Sequence, residues 1–300
     1  MGLYFNEVVI NDSQYWTTFR RMLSTSSESI SIASAEKNFG RTRALAGINL
    51  NIQAGECVAL LGASGSGKTT LLRSICGLEL LDGKDSKVAL FGQPLQTGGV
   101  LSPEVRTLRR QTGIIFQQFN LVGRMSLLRN VLTGLLPHMP LWRVMSGAFT
   151  TEQIRQALQA LDSVGLADYA FQRASTLSGG QQQRAAVARA LLQGALILLA
   201  DEPVASLDPE SARRVMQLLK QLNQENGMTL VVSLHNVAIA RQYCSRIVAL
   251  RAGAVVFDGP PAALTDTHLR DLYGSHSDEL LIEEMHVPLS SAHRDIPFPL

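Results

Sequence analysis

The chain has 300 residues, 46% of them hydrophobic and 17% charged, which is enough apolar material to bury a large core. Lys plus Arg number 27 against 25 Asp plus Glu, a balance that gives no electrostatic reason to expect nucleic acid as the main partner. The three cysteines, Cys57, Cys76 and Cys244, show no paired spacing and read as buried thiols of a reducing compartment.

Residues 1–29 lack periodicity and end in a Ser-rich run, Ser24 to Ser29, which reads as a weakly ordered extension with no secretory pattern. A strand pattern runs from Ile30 to Phe39. Two more follow over Ala46–Ile52 and Glu56–Leu61, turned at Ala54-Gly55. Gly62 to Gly67 is a glycine-rich loop, and Lys68 to Cys76 opens a helix. Ser86–Phe91 reads as a strand, Pro103–Arg110 as a short helix and Thr112–Phe116 as a strand. From Asn120 to about Leu191 the helical period dominates, most clearly over Glu152–Val164. The most membrane-like segment, Val131 to Phe149, is broken by Pro137, His138, Pro140 and Arg143, so no bilayer-spanning helix is expected. Leu196–Ala200 is a buried-strand run. Asp208-Pro209 caps a helix over Glu210–Asn223. Met228–Leu234 is another buried strand, and Arg246–Leu250 with Ala254–Phe257 forms a hairpin turned at Ala252-Gly253.

Strands alternating with helices predict an α/β core around a mainly parallel sheet. The helical stretch at about 120–185 reads as an inserted subdomain. The organisation expected is an extension over 1–29, one domain over 30–274 and a Pro-rich tail over 275–300.

Five motifs carry chemistry. Gly62-Ala63-Ser64-Gly65-Ser66-Gly67-Lys68-Thr69 follows a strand and opens a helix, as a phosphate loop does. Its glycines (Gly62, Gly65 and Gly67 among them) let the backbone bend and aim N–H groups at phosphate oxygens, and the helix N-terminus favours anions. Ser64, Lys68, Thr69 and Thr70 are the expected nucleotide contacts, with Lys68 on the β- and γ-phosphates and the Thr69 hydroxyl on Mg²⁺. Asp201 ends the Leu196–Ala200 run at the carboxyl edge of the sheet, where such sheets bind ligands. It is expected to hold Mg²⁺, and Glu202 to act as general base toward the attacking water. Gln117 follows a strand, and its neutral amide can ligate Mg²⁺ or water without adding charge. His235 ends Met228–Leu234, near the γ-phosphate. Ser178-Gly179-Gly180-Gln181 opens a second helix and is a further phosphate reader. It lies 110 residues beyond Lys68 and across the helical insert, so two copies related by a two-fold axis would each supply it to the other's nucleotide.

Together these motifs resemble the nucleotide-binding subunit of an ATP-binding cassette (ABC) transporter. Ser178–Gln181 matches the family signature, Ser206-Leu207-Asp208 its D-loop, and Gln117 and His235 its Q- and H-loops. Phe39 stands where the family places an adenine-stacking aromatic. Ile114 to Val122, Ser175 to Arg189, Ala200 to Val215 and Arg246 to Gly259, with the long Leu135–Thr150 segment, are similar to the ATPase subunits of bacterial phosphonate importers. The resemblance implies an α/β phosphate-loop ATPase core with an antiparallel β subdomain and an inserted helical signature subdomain. It also implies ATP and Mg²⁺ as cofactors, with Asp208 near the nucleotide. The implied assembly is a homodimer on the cytoplasmic face of the membrane, joined to permease subunits and served indirectly by an external substrate-binding protein. The apolar stretch Phe119 to Leu127 is expected to line the groove that receives the permease. Another importer substrate, a soluble cassette protein acting on DNA or ribosomes, or a catalytically dead scaffold are the alternatives. The single signature, the lack of extended heptads and the presence of Lys68, Glu202 and His235 weigh against the last two.

Overall fold

A computed structural model describes residues 28–118 and 120–273. Its strands, in chain order, are β1 (Glu28–Phe39), β2 (Thr42–Gln53), β3 (Cys57–Leu61), β4 (Lys87–Leu90), β5 (Gln93–Thr97), β6 (Val100–Leu101), β7 (Thr112–Ile115), β8 (Ile197–Asp201), β9 (Thr229–Leu234), β10 (Arg246–Arg251) and β11 (Ala254–Gly259). They form two sheets. One is antiparallel with order β2-β1-β4-β5-β6. The other has order β11-β10-β3-β9-β8-β7 and is parallel except for its edge strand β11.

The central strands are buried on both sides, as parallel sheets covered on both faces require. The two-residue period of a strand then sorts their side chains into two separate cores. Cys57, Ala59 and Leu61 of β3, Leu198 and Ala200 of β8, and Leu230, Val232 and Leu234 of β9 join the helices of the inserted segment. Val58 and Leu60, Ile197 and Leu199, and Val231 point the other way. They meet the antiparallel sheet and the helix Lys68–Ile75, through Leu71, Leu72 and Ile75. The sheet is therefore a shared wall, and its carboxyl edge is reached from both sides.

Between β7 and β8 the helices are Leu127–Leu132, Leu141–Ser146, Thr151–Ser163 and Gly179–Leu192, with a 3₁₀ turn at Thr133–His138. The helical period does not run unbroken through this stretch. From Val164 to Ser178 the chain makes only short 3₁₀ turns at Ala167–Tyr169 and Ala174–Thr176, because Gly165 takes a left-handed φ of 68° and ends the preceding helix. Two further differences from the expected elements have local causes. The first strand begins at Glu28 rather than Ile30, since Ser29 shares a buried hydrogen bond with Thr229 at 2.9 Å and its carbonyl accepts from Phe91. Strands β5 and β6 go unsignalled in the sequence because only Leu95 and Gln96 face inward there. Gln96 replaces an apolar contact with hydrogen bonds to the Ser74 and Glu79 carbonyls and from the Leu81 N–H. The tail from Ser275 and most of the expected N-terminal extension lie outside the described residues.

All three cysteines are buried and free. Cys57 and Cys244, 187 positions apart in sequence, share the core on one side of the sheet. The hydrogen bond between their thiols, with burial, raises the pKa of Cys244.

Candidate nucleotide site

Four loops stand side by side at the carboxyl edge of β3, β9, β8 and β7, in that order across the sheet. They carry the phosphate loop, His235, the Asp201-Glu202 pair and Gln117. Parallel pairing in register puts the ends of these strands level: Leu61 lies opposite Leu234, and Asp201 opposite Ser233.

The phosphate loop turns on glycine where no side chain fits. A Cβ on Gly62 (φ 150°) would lie 2.3 Å from the Leu250 carbonyl oxygen, and one on Gly67 (φ 107°) 2.4 Å from that of Ala44. The hairpin turn at Ala252-Gly253 buttresses the loop from behind. The Gly253 N–H donates to the Ser66 carbonyl at 3.1 Å, and the Gly253 carbonyl accepts from the Ala46 N–H. Gly67 begins the helix Lys68–Ile75 without a side-chain cap, so the first-turn N–H groups keep their capacity to bind an anion.

Lys68 is only 4% exposed. Its ammonium donates to the carbonyls of Gly62 at 2.6 Å and Ala63 at 3.1 Å. Burial holds its pKa below the usual lysine value, against the opposing pull of the Glu202 and Asp201 carboxylates. A buried cation solvated only by neutral carbonyls beside an uncapped helix start is a site that an oxyanion would stabilise. These residues fit a nucleotide phosphate chain.

Asp201 is 7% exposed. Its Oδ1 accepts from the Thr69 hydroxyl at 3.0 Å and from the Ser233 hydroxyl at 2.8 Å. The Thr69 oxygen keeps lone pairs for a hard cation while its proton goes to Asp201. This oxygen-only pair suits Mg²⁺, which takes few protein ligands and completes its shell with phosphate and water. Among the described residues no cluster of three or more His, Cys, Asp or Glu forms a metal cage. Glu202 follows in a left-handed backbone conformation, φ 48°, which is uncommon for a residue with a side chain. Its N–H donates to Ser233 Oγ at 2.8 Å, and its carboxylate is hydrogen-bonded to His235 Nε2. The His235 carbonyl accepts from the Tyr273 hydroxyl at 3.3 Å. Burial pushes the Tyr273 pKa up to about 12, with the Gly62 backbone N–H opposing the shift.

Gln117 sits exposed in the turn after β7. Thr70 lies on the helix after Lys68, and its carbonyl accepts from the Ser74 hydroxyl. Ser64 is exposed on the loop. Phe39 is half-exposed at the tip of β1, with the Lys37 ammonium 5.3 Å from its ring centre.

The signature motif is built on different ground. Ser178 caps the helix Gly179–Leu192 in a reciprocal box. Its hydroxyl accepts from the Gln181 N–H, and the Gln181 side chain accepts from the Ser178 N–H. Gly180 is buried, and a Cβ there would meet Ser211 at 2.9 Å. Asp208 caps the adjacent helix, Pro209–Asn226, by accepting from Ser211 at 3.0 Å. Thus Ser178, Gly179, Gly180, Gln181 and Asp208 are held together by two neighbouring helix starts. Among the described residues, no hydrogen bond joins them to the phosphate loop.

Downstream of Gln117 the chain runs beside the segment that leads into the signature. Leu127 and Leu128 N–H groups donate to the Gln172 and Ala170 carbonyls, Ala174 to Met125 and Ser175 to Gly123. The buried Asn130 side chain accepts from the Val122 N–H at 2.7 Å and donates to three carbonyls, those of Val122, Met125 and Ser126. Phe119 lies outside the described residues. Leu127 is fully buried, so it cannot form the open face of a groove, and Leu121 is half-buried against the same core. The exposed apolar residues here are Val122 and Phe171.

Sequence reasoning missed Ser233 and Tyr273. A polar residue inside the otherwise apolar run Leu230–Leu234 was the available signal for the first. The second, far along the chain in the helix Asp266–Tyr273, gave none.

A family description for ABC transporters matches residues 45–205. The phosphonates import ATP-binding protein of Cupriavidus pinatubonensis is 52% identical over 271 residues, covering 90% of this chain and 95% of that protein. One from Pseudomonas aeruginosa is 56% identical over 254 residues, covering 84% and 91%. Among solved structures, a dimeric ATP-binding cassette in a post-hydrolysis state with ADP and Pi is 36% identical, with a TM-score of 0.67 over 77% of this chain and 98% of that one. The cassette cbiO1 of Clostridium perfringens, part of the transporter complex cbiONQ, is 26% identical, with a TM-score of 0.69 over 86% and 100%.

Proposed function

This chain belongs to the ABC transporter ATPase family, and we propose that it is the subunit that hydrolyses ATP to drive phosphonate import through a membrane permease. The observation that carries the catalytic reading is the alignment of Lys68, Thr69, Asp201, Glu202 and His235 along one sheet edge. Relatives named as phosphonate import ATPases, more than half identical over most of the chain, support the substrate.

The roles follow from the chemistry of each group. The uncapped helix start and Lys68 hold the β- and γ-phosphates. Thr69 and Asp201, with Gln117, hold Mg²⁺, which neutralises charge on the transferred phosphoryl group when bound. Glu202 takes the proton of the attacking water, and His235 orients that carboxylate through its hydrogen bond. Phe39 offers its exposed ring to the adenine base. Because the signature is capped within its own subdomain and Ser178 is exposed, it serves the nucleotide of a second copy. The homodimer then has two composite sites, in keeping with the related cassette solved as a dimer with ADP and Pi.

Among the described residues no helix is long and apolar enough to cross a membrane. The chain works at the inner membrane by binding the permease. The docking surface is the exposed side of the strip that residues 122–126 and 171–175 form, with Val122 and Phe171 as its apolar contacts. Gln117 is five residues from Val122, so phosphate occupancy is transmitted to this strip and on to the signature.

The test is reconstitution of the chain with its permease in liposomes. ATP hydrolysis should rise when substrate-binding protein loaded with a phosphonate is enclosed with the complex. Stimulation only by phosphate, phosphite or an unrelated solute would overturn the substrate, and ATP hydrolysis that never depends on the permease would overturn the transport role.

A further inference from the structure

We infer that Ser233 is a positioning residue for ATP hydrolysis, one hydroxyl that sets both the metal-side carboxylate and the catalytic base. The inference rests on the hydrolytic reading of the site above and assigns a role to a residue outside its motifs.

Ser233 is fully buried in β9, where every other residue from Leu230 to Leu234 is aliphatic. It faces the same side of the sheet as Val231, toward the helix that carries Thr69. Parallel register places it directly opposite Asp201 on β8. A buried hydroxyl is costly unless satisfied, and this one is satisfied in a single sense. The Glu202 N–H can only donate, so Ser233 Oγ accepts there, at 2.8 Å. The Ser233 proton is left for Asp201 Oδ1, also at 2.8 Å.

Two consequences follow. Asp201 Oδ1 receives donors from both Ser233 and Thr69, which fixes the plane of the carboxylate and leaves Oδ2 as the oxygen without those donors. The Glu202 amide is anchored in the turn where its own φ is 48°. Such a conformation persists only when the surroundings hold it, and the amide bond to Ser233 is such a hold. Without it Glu202 relaxes toward an ordinary backbone conformation, and its carboxylate leaves the line set by His235. Lys68 and the phosphate loop make no hydrogen bond with Ser233, so nucleotide binding should survive its loss.

The comparison that isolates the hydroxyl is Ser233→Thr against Ser233→Val. Both add one branch at Cβ and differ only in hydroxyl against methyl, so any steric effect is common to them. Each is made in the full chain and purified with its permease. Ser233→Thr should stay within a few-fold of the wild-type turnover. Ser233→Val should lose about tenfold to a hundredfold in kcat, the worth of hydrogen bonds to charged or strained groups, with an unchanged dissociation constant for ATP measured without a divalent cation. Two readings independent of turnover accompany it. The Glu202 amide should exchange hydrogen faster in Ser233→Val than in Ser233→Thr, and Mn²⁺ in the presence of a non-hydrolysable ATP analogue should bind more weakly to the Val variant. Equal kcat and equal Glu202 amide exchange in the two variants would overturn the assignment, as would a Val variant that loses affinity for metal-free ATP along with turnover. Wild-type complex that fails to hydrolyse ATP would instead sink the functional reading, while the amide-exchange comparison would still judge the role of Ser233.

Discussion

The phosphate-loop edge and the signature of this chain are built in opposite ways. The edge formed by Lys68, Asp201 and Ser233 is buried and densely cross-bonded between elements far apart in sequence. Thr69, Asp201, Ser233 and Glu202 make one connected hydrogen-bond chain across a helix and two strands. The signature is stabilised locally instead, by a capping box within four residues, and its Ser178 faces solvent. The first region is complete as half a site because the whole sheet holds it. The second is closed on itself by its caps and, in the proposed homodimer, faces a second copy. The proposed homodimer, closing and opening on each cycle, would use this asymmetry, with one fixed half and one half free to approach.

The contrast can be attacked at four points. Glu202→Gln should leave ATP binding intact and lower turnover by about a hundredfold to ten-thousandfold, the usual worth of a general base. Steady-state hydrolysis and sizing with ATP check this, since the variant should accumulate as a closed dimer. Ser178→Arg should abolish most hydrolysis at unchanged nucleotide affinity, because bulk at an exposed cap obstructs approach without touching the buried edge. Lys68→Ala should weaken ATP binding by about tenfold to a hundredfold, from loss of a charge-assisted bond worth roughly 1.5–3 kcal/mol. In a heterodimer of the Ser178 and Lys68 variants both lesions fall on one composite site, and activity should recover toward half. Recovery absent from verified heterodimers whose sites hydrolyse independently would argue that the signature serves its own nucleotide.

Phe171→Glu tests the strip between these regions. Basal ATPase should persist, since the residue is 79% exposed and outside both cores, while permease co-purification and uptake fall away. Normal uptake would place docking elsewhere. The smallest effect belongs to Phe39→Ala, where loss of base stacking should weaken ATP by about 1 kcal/mol, roughly fivefold. The expected mark is reduced preference for ATP over a nucleotide with a smaller base, read by competition binding.

Much of the site was legible because its motifs are local. A glycine loop before a helix, an acidic pair after an apolar run and a capping box are each set by a few adjacent residues, and the strand–helix alternation around them implied a parallel sheet. The helical stretch was less legible. Its apolar residues keep a helical spacing across Val164–Ser178, yet the chain turns there to run beside residues 123–128, and that pairing is non-local. Leu127 looked like a groove residue for the same reason, since an apolar side chain does not announce whether it faces a core or a surface.

Sequence by itself marked the loop proposed to meet phosphate, because backbone N–H groups, glycine φ angles and a lysine at fixed spacing act over a few bonds. It also carried the expectation of a partner copy, since one chain holds both a phosphate loop and a remote signature. Only the tertiary structure decided what aligns the chemistry. Ser233 meets Asp201 through strand register, Tyr273 reaches the His235 carbonyl from the last described helix, and Cys57 meets Cys244 in the core. Register and helix docking are collective results of burying two faces of one sheet, and no short stretch of residues encodes them.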